Sequence, residues 1–149
     1  MNLLERVATK GDADAIRALV LLAYARWVPV INREPRPMLA DYHQAVLRHR
    51  FDLLIASDRL VALIETDVRN DHLWIENIAV HPEYQRQGLG HRLLAQAETL
   101  ATERGLGELR LLTNAAFESN IRLYRSLGYA VTHTEPFGTG TTLFMRKVL

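Results

Sequence analysis

Two glycines follow a strand-like stretch and come before an amphipathic segment. Residues 72–80 are mostly apolar or β-branched, which predicts a buried strand. Gly88 and Gly90 then lie where a helical pattern begins. The first turn of a helix carries unpaired N–H groups at a partly positive end, and glycine leaves those groups accessible. The spacing therefore predicts an anion site, with Arg86 supplying an additional positive charge.

Two familiar glycine motifs do not fit this stretch. A dinucleotide-binding fingerprint needs a third small residue, and Leu93 stands in that place. A P-loop needs Gly-Lys-Ser/Thr, and His91-Arg92 follows Gly90 instead. The simpler alternative is a glycine-containing turn that only starts a helix.

The six residues from Gln85 to Gly90, QRQGLG, resemble the Q/R-x-x-G-x-G/A motif of the GNAT superfamily of N-acetyltransferases. The preceding Ile78–Pro82 and the later Asn120–Tyr129 also resemble that family, in the expected order. The resemblance implies acetyl-CoA as cosubstrate, with its pyrophosphate on the backbone N–H groups of 85–91. It also implies that main-chain groups of Ile78 and Val80 bind the pantetheine arm and that one amide polarises the acetyl carbonyl. The implied cofactor-binding residues are Ile78, Val80, Gln85, Arg86, Gln87, Gly88, Leu89, Gly90, His91, Asn120 and Tyr124.

Tyr124 is the candidate general acid. The family commonly has a tyrosine four residues before a Gly-aromatic pair, here Gly128-Tyr129, and uses it to protonate the departing thiolate. A phenol with a pKa of about 10 is protonated at neutral pH and can give up a proton there. Phe117 stands where the family more often has asparagine. Asn120, one helical turn before Tyr124, or Asn114 is the alternative amide contact to the cofactor.

Glu76 is the candidate general base. Strict alternation places it on one strand face with Trp74, Ile78 and Val80, although a β-bulge would change that arrangement. A carboxylate withdrawn from water in an apolar strand is a stronger base. The alternatives are a glutamate that only orients a cationic acceptor, or catalysis by His81 or, less favoured, His72.

Composition limits the remaining classes of function. The 149 residues fit one domain, and the net charge of +1 with mixed basic and acidic residues does not favour binding to nucleic acid or a membrane surface. The absence of cysteine excludes a cysteine nucleophile, and no spacing suggests a metal site. With no signal-peptide pattern or membrane-spanning run, a cytoplasmic location is expected.

The pattern of elements predicts a mixed α/β fold. Helices are expected over 12–26, 38–50, 85–104 and 115–127, whereas prolines argue against a helix over 27–37. Strands are expected at 2–8, 51–57, 60–68, 72–80, 109–113, 129–134 and 141–148. The family resemblance implies a mostly antiparallel twisted sheet of about seven strands, flanked by four helices, with a splayed central parallel pair. The apolar last strand, 142–148, is a possible homodimer edge.

These observations together indicate an acetyl-CoA-dependent N-acetyltransferase that acetylates a primary amine of a small molecule or peptide by direct transfer. The same scaffold could use another acyl donor or an oxygen acceptor. An alternative of another class is a non-catalytic acyl-CoA sensor or interaction module. The family resemblance implies that the helix–loop–helix region before 51 shapes the acceptor pocket. Its cationic and aromatic residues would favour an anionic or aromatic group on the acceptor: Arg26, Trp27, Arg33 and Arg36. A polyamine or a lysine-rich acceptor is expected only if Glu34, Asp41 and Glu65 line the pocket instead.

Overall fold

A computed structural model describes residues 2–149 and consists of one sheet with helices packed on it. The strands are β1 (Leu4–Val7), β2 (Arg50–Ala56), β3 (Arg59–Val68), β4 (Leu73–Val80), β5 (Glu108–Asn114), β6 (Ala130–Phe137) and β7 (Gly140–Val148). The helices are α1 (Ala13–Tyr24), α2 (Val28–Ile31), α3 (Arg36–Leu39), α4 (Tyr42–Arg48), α5 (Leu89–Glu103) and α6 (Glu118–Ser126). Within the described range, no helix is long and apolar enough to cross a membrane.

The sheet confirms the predicted fold class. Its strand order is β1-β2-β3-β4-β5-β7-β6, and every neighbouring pair is antiparallel except the central β4–β5 pair. The antiparallel order of β2, β3 and β4 follows from short connections, whereas the helices α1 to α4 separate β1 from β2 and α5 carries the chain between the two parallel strands. Of the described helices, α1, α4, α5 and α6 have seven or more residues, which agrees with the four expected.

Two hydrophobic clusters cover the two faces of the sheet. The cluster beneath α5 and α6 includes Leu93, Leu94 and Tyr124 together with residues of the central strands. The cluster beneath α1 and α4 includes Ile16 and Phe51. Because α1 and α5 each present apolar residues at helical spacing, each helix buries one stripe against the sheet.

The prolines between α1 and α4 do not prevent helical turns, so that prediction was wrong. Pro29 and Pro37 each lie in the first turn of a four-residue helix, α2 and α3. Proline is tolerated there because the first N–H groups of a helix have no intrahelical partner. The predicted helix at 38–50 is also divided: Ala40 is extended, and Asp41 caps α4 by accepting from the N–H groups of the second and third residues of that helix.

Two helices begin later than the pattern predicted. α5 starts at Leu89 rather than Gln85, because Arg86 and Gly88 have φ angles of +62° and +81°, outside the right-handed helical region. α6 starts at Glu118, after a turn in which Phe117 donates its N–H to the Asn114 carbonyl. In both cases the residues before the helix form the turn that shapes the candidate site.

The last strand is not a free edge. β7 pairs with β5 on one side and β6 on the other, so β6 forms the edge of the sheet. The physical basis for the predicted dimer edge at 142–148 was therefore wrong, because both sides of that strand already have hydrogen-bonding partners.

Candidate functional site

The central parallel strands separate after three residue pairs. Leu73, Trp74 and Ile75 of β4 pair with β5, and the pairing stops there. At the same level Glu76 is an extra residue between Ile75 and Asn77 in the register with β3. This β-bulge bends β4 away from β5 and opens a gap between the ends of the two strands.

The bulge also changes which side chains share a face. Ile75, Ile78 and Val80 belong to or pack against the cluster beneath α5, whereas Asn77 and Ala79 face α1. The alternation that placed Trp74 and Glu76 on the face of Ile78 and Val80 was therefore wrong, for the reason that one extra residue reverses the parity of a strand.

Backbone groups of β4 point into the gap. The N–H of His81 donates to the Val61 carbonyl on β3. Because backbone groups alternate in direction along a strand, the N–H and carbonyl groups of Ile78 and Val80 point away from β3 and into the gap. Their carbonyls already have donors: the Tyr24 hydroxyl lies 3.0 Å from the Ile78 oxygen, and the Gln85 amide donates to the Val80 oxygen over 3.2 Å. The N–H groups of Ile78 and Val80 remain directed at the space between the strands.

The turn before α5 presents open amides next to this gap. The first intrahelical bond runs from the Arg92 N–H to the Gly88 carbonyl, so the N–H groups of Leu89, Gly90 and His91 have no partner in the helix ladder. Apart from its chain neighbours, Gly88 has no atom of residues 2–149 within 4 Å of where a Cβ would stand. The structure thus has accessible, unpaired amides at this helix N-terminus, a geometry that suits an anion.

The two glutamines of the turn support it from within. Gln85 donates to Val80, as noted, and Gln87 donates to the Glu83 carbonyl over 3.4 Å. Arg26, which follows α1, donates to the Gln85 side chain over 3.2 Å. Partial burial and the charge of Arg86 lower the pKa of Arg26, which means that two cations are crowded beside the turn. A bound anion would relieve that repulsion.

Gly90 also has a packing role that its position in the motif did not suggest. A Cβ at Gly90 would lie 3.0 Å from Cδ2 of Leu123 on α6, closer than ordinary van der Waals contact. The absence of a side chain at Gly90 therefore permits close packing of α5 against α6. Gly88, by contrast, supplies the left-handed turn and the open approach.

Tyr124 lies on α6 and lines the cleft that includes the gap. Its side chain is buried, and its ring centroid is 5.9 Å from that of Tyr129. Burial raises the pKa of Tyr124 further above its ordinary value, so its hydroxyl carries its proton at neutral pH. That state is the one a proton donor requires.

Asn120 and Asn114 both line the same cleft as Tyr124. The Asn114 side chain accepts a hydrogen bond from the Ala116 N–H over 2.9 Å, which shapes the turn before α6. Phe117, between them, is buried and stacks on Trp27 with ring centroids 4.6 Å apart. Phe117 thus connects α6 to the segment after α1 through apolar packing.

Glu76 reaches the cleft, but in a different environment from the expected one. It is exposed and accepts a hydrogen bond from the Trp74 indole N–H over 2.6 Å, so it is not withdrawn from water. The histidines lie in local contacts: His81 accepts from the Glu83 N–H over 3.1 Å, and His72 contacts Asp71 at 2.7 Å. Neither histidine lines the cleft.

The cleft has a volume of about 610 Å³ and extends from the gap towards the α2–α4 segment. Arg33 and Arg36 line it, as the sequence suggested, and Arg69 joins them from the end of β3. Glu65 on β3 also lines it and is only 4% exposed. The sequence offered Glu65 only as one of several acidic residues that could line the pocket, because it lies within an apolar strand and the bulge on β4 decides what it faces.

A buried hydrogen-bond network connects three elements behind the cleft. Tyr24 on α1 lies 2.7 Å from Oδ1 of Asn77, whose amide nitrogen donates to the Tyr42 hydroxyl on α4 over 3.2 Å. Tyr42 donates to the Pro37 carbonyl over 2.6 Å. These contacts fix the α2–α4 segment relative to the bulge, and sequence analysis did not identify them.

Comparisons with known proteins agree with this geometry. Residues 16–129 match the model of the acetyltransferase (GNAT) family. The chain is 30% identical over 152 residues to aminoglycoside N(6′)-acetyltransferase type 1 of Serratia marcescens, covering 93% of this chain and 96% of that one. It is 40% identical over 76 residues to the ribosomal protein bS18-alanine N-acetyltransferase of Escherichia coli, and this match spans only 51% of that relative and 51% of this chain.

Solved structures show the same fold. The crystal structure of the PaiA N-acetyltransferase from Thermoplasma acidophilum in complex with coenzyme A aligns over 100% of both chains, with a TM-score of 0.86 and 18% identity. The Escherichia coli ribosomal-protein-S18-alanine N-acetyltransferase aligns over 99% of this chain and 94% of that one, with a TM-score of 0.77 and 25% identity. The strand gap, the open helix turn and the family match together show that this chain belongs to the GNAT family of acetyltransferases.

Proposed function

We propose that the protein is an N-acetyltransferase that transfers the acetyl group of acetyl-CoA directly to a primary amine of a small molecule or peptide. One observation carries this proposal: the β4–β5 gap and the proton-bearing Tyr124 share one cleft, and Gln85 ties the open turn of α5 to Val80 at the end of β4. Coenzyme A is bound in the Thermoplasma acidophilum structure, and acetyl-CoA in that of a GNAT acetyltransferase from Elizabethkingia anophelis.

The residues fit acetyl-CoA through the backbone. The N–H groups of Leu89, Gly90 and His91 would hold the pyrophosphate, with the charges of Arg86 and Arg26 beside it. The N–H groups of Ile78 and Val80 would hold the pantetheine arm, and one of them would stabilise charge on the acetyl carbonyl oxygen. Asn120 would add an amide contact from α6.

The chemistry requires removal of two protons from nitrogen and delivery of one to sulfur. An acceptor ammonium gives one proton to a base, and the amine nitrogen then forms a bond to the acetyl carbon as the carbon–sulfur bond breaks. The nitrogen releases its second proton to solvent and becomes the amide. Tyr124 donates its proton to the departing sulfur and regains one from solvent. Glu76, the base predicted from sequence, stays in this proposal as a carboxylate at the cleft that attracts the ammonium.

The acceptor class follows from the relatives. Their names describe N-acetylation of an alanine of ribosomal protein bS18, of N(6′) of an aminoglycoside and of the ε-nitrogen of thialysine. These acceptors share a primary amine, although they differ in size. We therefore propose that the acceptor of this chain is also a primary amine. Its acceptor pocket need resemble those of the relatives only around the reacting nitrogen.

The test is calorimetric titration with acetyl-CoA and with CoA, followed by assay of thiol release. The probe amines are an alanine-initiated peptide, kanamycin and thialysine. We expect micromolar binding, loss of binding in Gly88→Trp, and amine-dependent thiol release. Gly105→Trp is the control, since Gly105 has a similar positive φ of +68° and open surroundings at the far end of α5.

The outcomes separate the two functional classes. Absence of acetyl-CoA binding by the wild-type protein would refute the proposal. Binding without thiol release for any probe amine would favour the alternative, a non-catalytic acyl-CoA sensor on the same scaffold.

A further inference from the structure

A buried carboxylate faces the acceptor side of the cleft and has no part in the mechanism described so far. Glu65 on β3 is 4% exposed and pairs across the strands with Asn77, directly beside the bulge at Glu76. Burial raises the pKa of Glu65, and the hydrogen bond to His49 opposes that increase. Glu65 therefore has the withdrawn environment that was predicted for Glu76.

His49, between α4 and β2, holds this carboxylate in place. Its Nδ1 lies 2.6 Å from Oε2 of Glu65, and its Nε2 lies 3.9 Å from Oδ2 of Asp67. An ionised carboxylate only accepts hydrogen bonds, so Nδ1 carries the proton and donates it to Oε2. The Asn77 side chain also donates to the Glu65 carboxylate, so His49 and Asn77 together orient it.

The surroundings of Glu65 include few titratable groups. Those that face it are His49 before β2, Glu76 on β4, Tyr42 on α4 and Tyr24 on α1. The tyrosines are neutral at working pH, because burial raises the pKa of both. The charge state of Glu65 therefore depends mainly on His49 and Glu76.

We propose that Glu65 is the general base that takes the proton from the acceptor ammonium and that His49 is the positioning residue that orients it. The proposal rests on the proposed acetyltransferase function. One N–H bond of the ammonium breaks and one O–H bond forms on Glu65, and the proton leaves to solvent after transfer. Glu76, exposed at the same cleft, attracts the cation without removing its proton.

The first test is Glu65→Gln, assayed with kanamycin and with an alanine-initiated peptide. We expect kcat/KM to fall about 100-fold or more, the magnitude typical of a lost general base. The Kd for acetyl-CoA should not change, because Glu65 is remote from the α5 turn. The loss of kcat/KM relative to wild type should become smaller as pH rises. At higher pH a larger share of the acceptor is already the free amine, which needs no base.

The second test keeps Glu65 and changes its partner. His49→Phe removes a contact that lowers the pKa of Glu65, so the acid limb of the pH profile should move to higher pH. His49→Gln retains a donor and should restore most of the wild-type profile. A purely structural role would lower Tm and leave the acid limb in place. Carboxyl NMR of Glu65 in wild type and His49→Phe checks the same shift without an acceptor.

Asp52→Asn is the matched control, because Asp52 also pairs with a neighbouring cation, Arg50 at 3.0 Å, but does not line the cleft. It should behave as wild type. Unchanged kcat/KM in Glu65→Gln, or an unmoved acid limb and carboxyl titration in His49→Phe, overturns this inference alone. A wild-type protein that binds no acetyl-CoA overturns the proposed function and this inference together.

Discussion

The two ends of the candidate site are built in different ways. The end beside α5 consists of backbone amides from one continuous segment, 78–91. The acceptor end consists of side chains that come from β3, β4 and the α2–α4 segment, including Glu65, Glu76 and Arg33. The first is a local structure that short-range patterns specify. The second exists only after the strands have paired and α4 has packed on them.

This difference has a consequence for mutation. A group made of backbone is sensitive to conformation and insensitive to side-chain chemistry, so only substitutions that block or strain the turn should affect it. A group made of side chains loses function through single isosteric changes. Tyr124 lies where the two ends meet and should respond as a side-chain group.

The largest effect is expected for Tyr124→Phe. Removal of the hydroxyl should lower kcat about 100-fold or more by removing the proton donor, while acetyl-CoA affinity stays near wild type. Steady-state kinetics and calorimetry measure the two quantities. The control is Tyr129→Phe: this neighbour is also buried, its hydroxyl has no partner within the described residues, and it does not line the cleft. Wild-type turnover by Tyr124→Phe would remove the acid from the mechanism.

The next effect concerns the backbone end and compares Gly88→Val with Gly105→Val. Both glycines have positive φ and open surroundings, so each substitution should cost about 1–2 kcal/mol of stability. Only Gly88→Val should weaken acetyl-CoA binding, by about tenfold or more. Thermal unfolding and calorimetry separate the two effects. Equal loss of affinity in both variants would mean that the turn of α5 is not the cofactor site.

A smaller effect sharpens the acceptor end. Arg33 lines the cleft and lies over the Phe137 ring at 4.8 Å, so it presents an exposed cation to the acceptor. Arg33→Ala should lower kcat/KM about fivefold for an alanine-glutamate peptide and little for an alanine-lysine peptide, in keeping with an exposed pair. Arg26→Ala, at the turn, should instead weaken acetyl-CoA binding, and any loss of kcat/KM should be the same for both peptides. A loss that is the same for both peptides in Arg33→Ala contradicts the assignment.

The smallest effect distinguishes the two glycines of the motif. Gly90→Ala should destabilise the protein by about 1 kcal/mol, because crowding against Leu123 outweighs the helix propensity gained. In a Leu123→Ala background the same substitution should become neutral or stabilising. Denaturant unfolding of the four variants in this cycle gives the coupling. Loss of acetyl-CoA binding without loss of stability would instead mean that the cofactor, and not Leu123, needs the space beside the Gly90 Cα.

The sequence predicted the strands, the two long helices and the parallel crossover around α5 because these depend on local periodicity and on short connections. It failed where a single residue changes the geometry. The left-handed conformations of Arg86 and Gly88 make α5 begin at Leu89 and not at Gln85. The prolines of α2 and α3 lie in the first turn, where a helix tolerates them. In each case a backbone torsion or an unpaired N–H decided where the helix begins. Hydrophobic periodicity carries no information about either.

The sequence by itself determined the family and the place of the glycine-containing turn before α5, since the residues of the motif are contiguous. Only the tertiary structure decided which carboxylate is withdrawn from water. One extra residue at Glu76 reverses the parity of β4 and leaves that side chain exposed. Glu65, on a strand that no motif marks, is enclosed by His49, Tyr42 and Asn77. Burial depends on which segments pack together, and that is fixed only when the chain is folded.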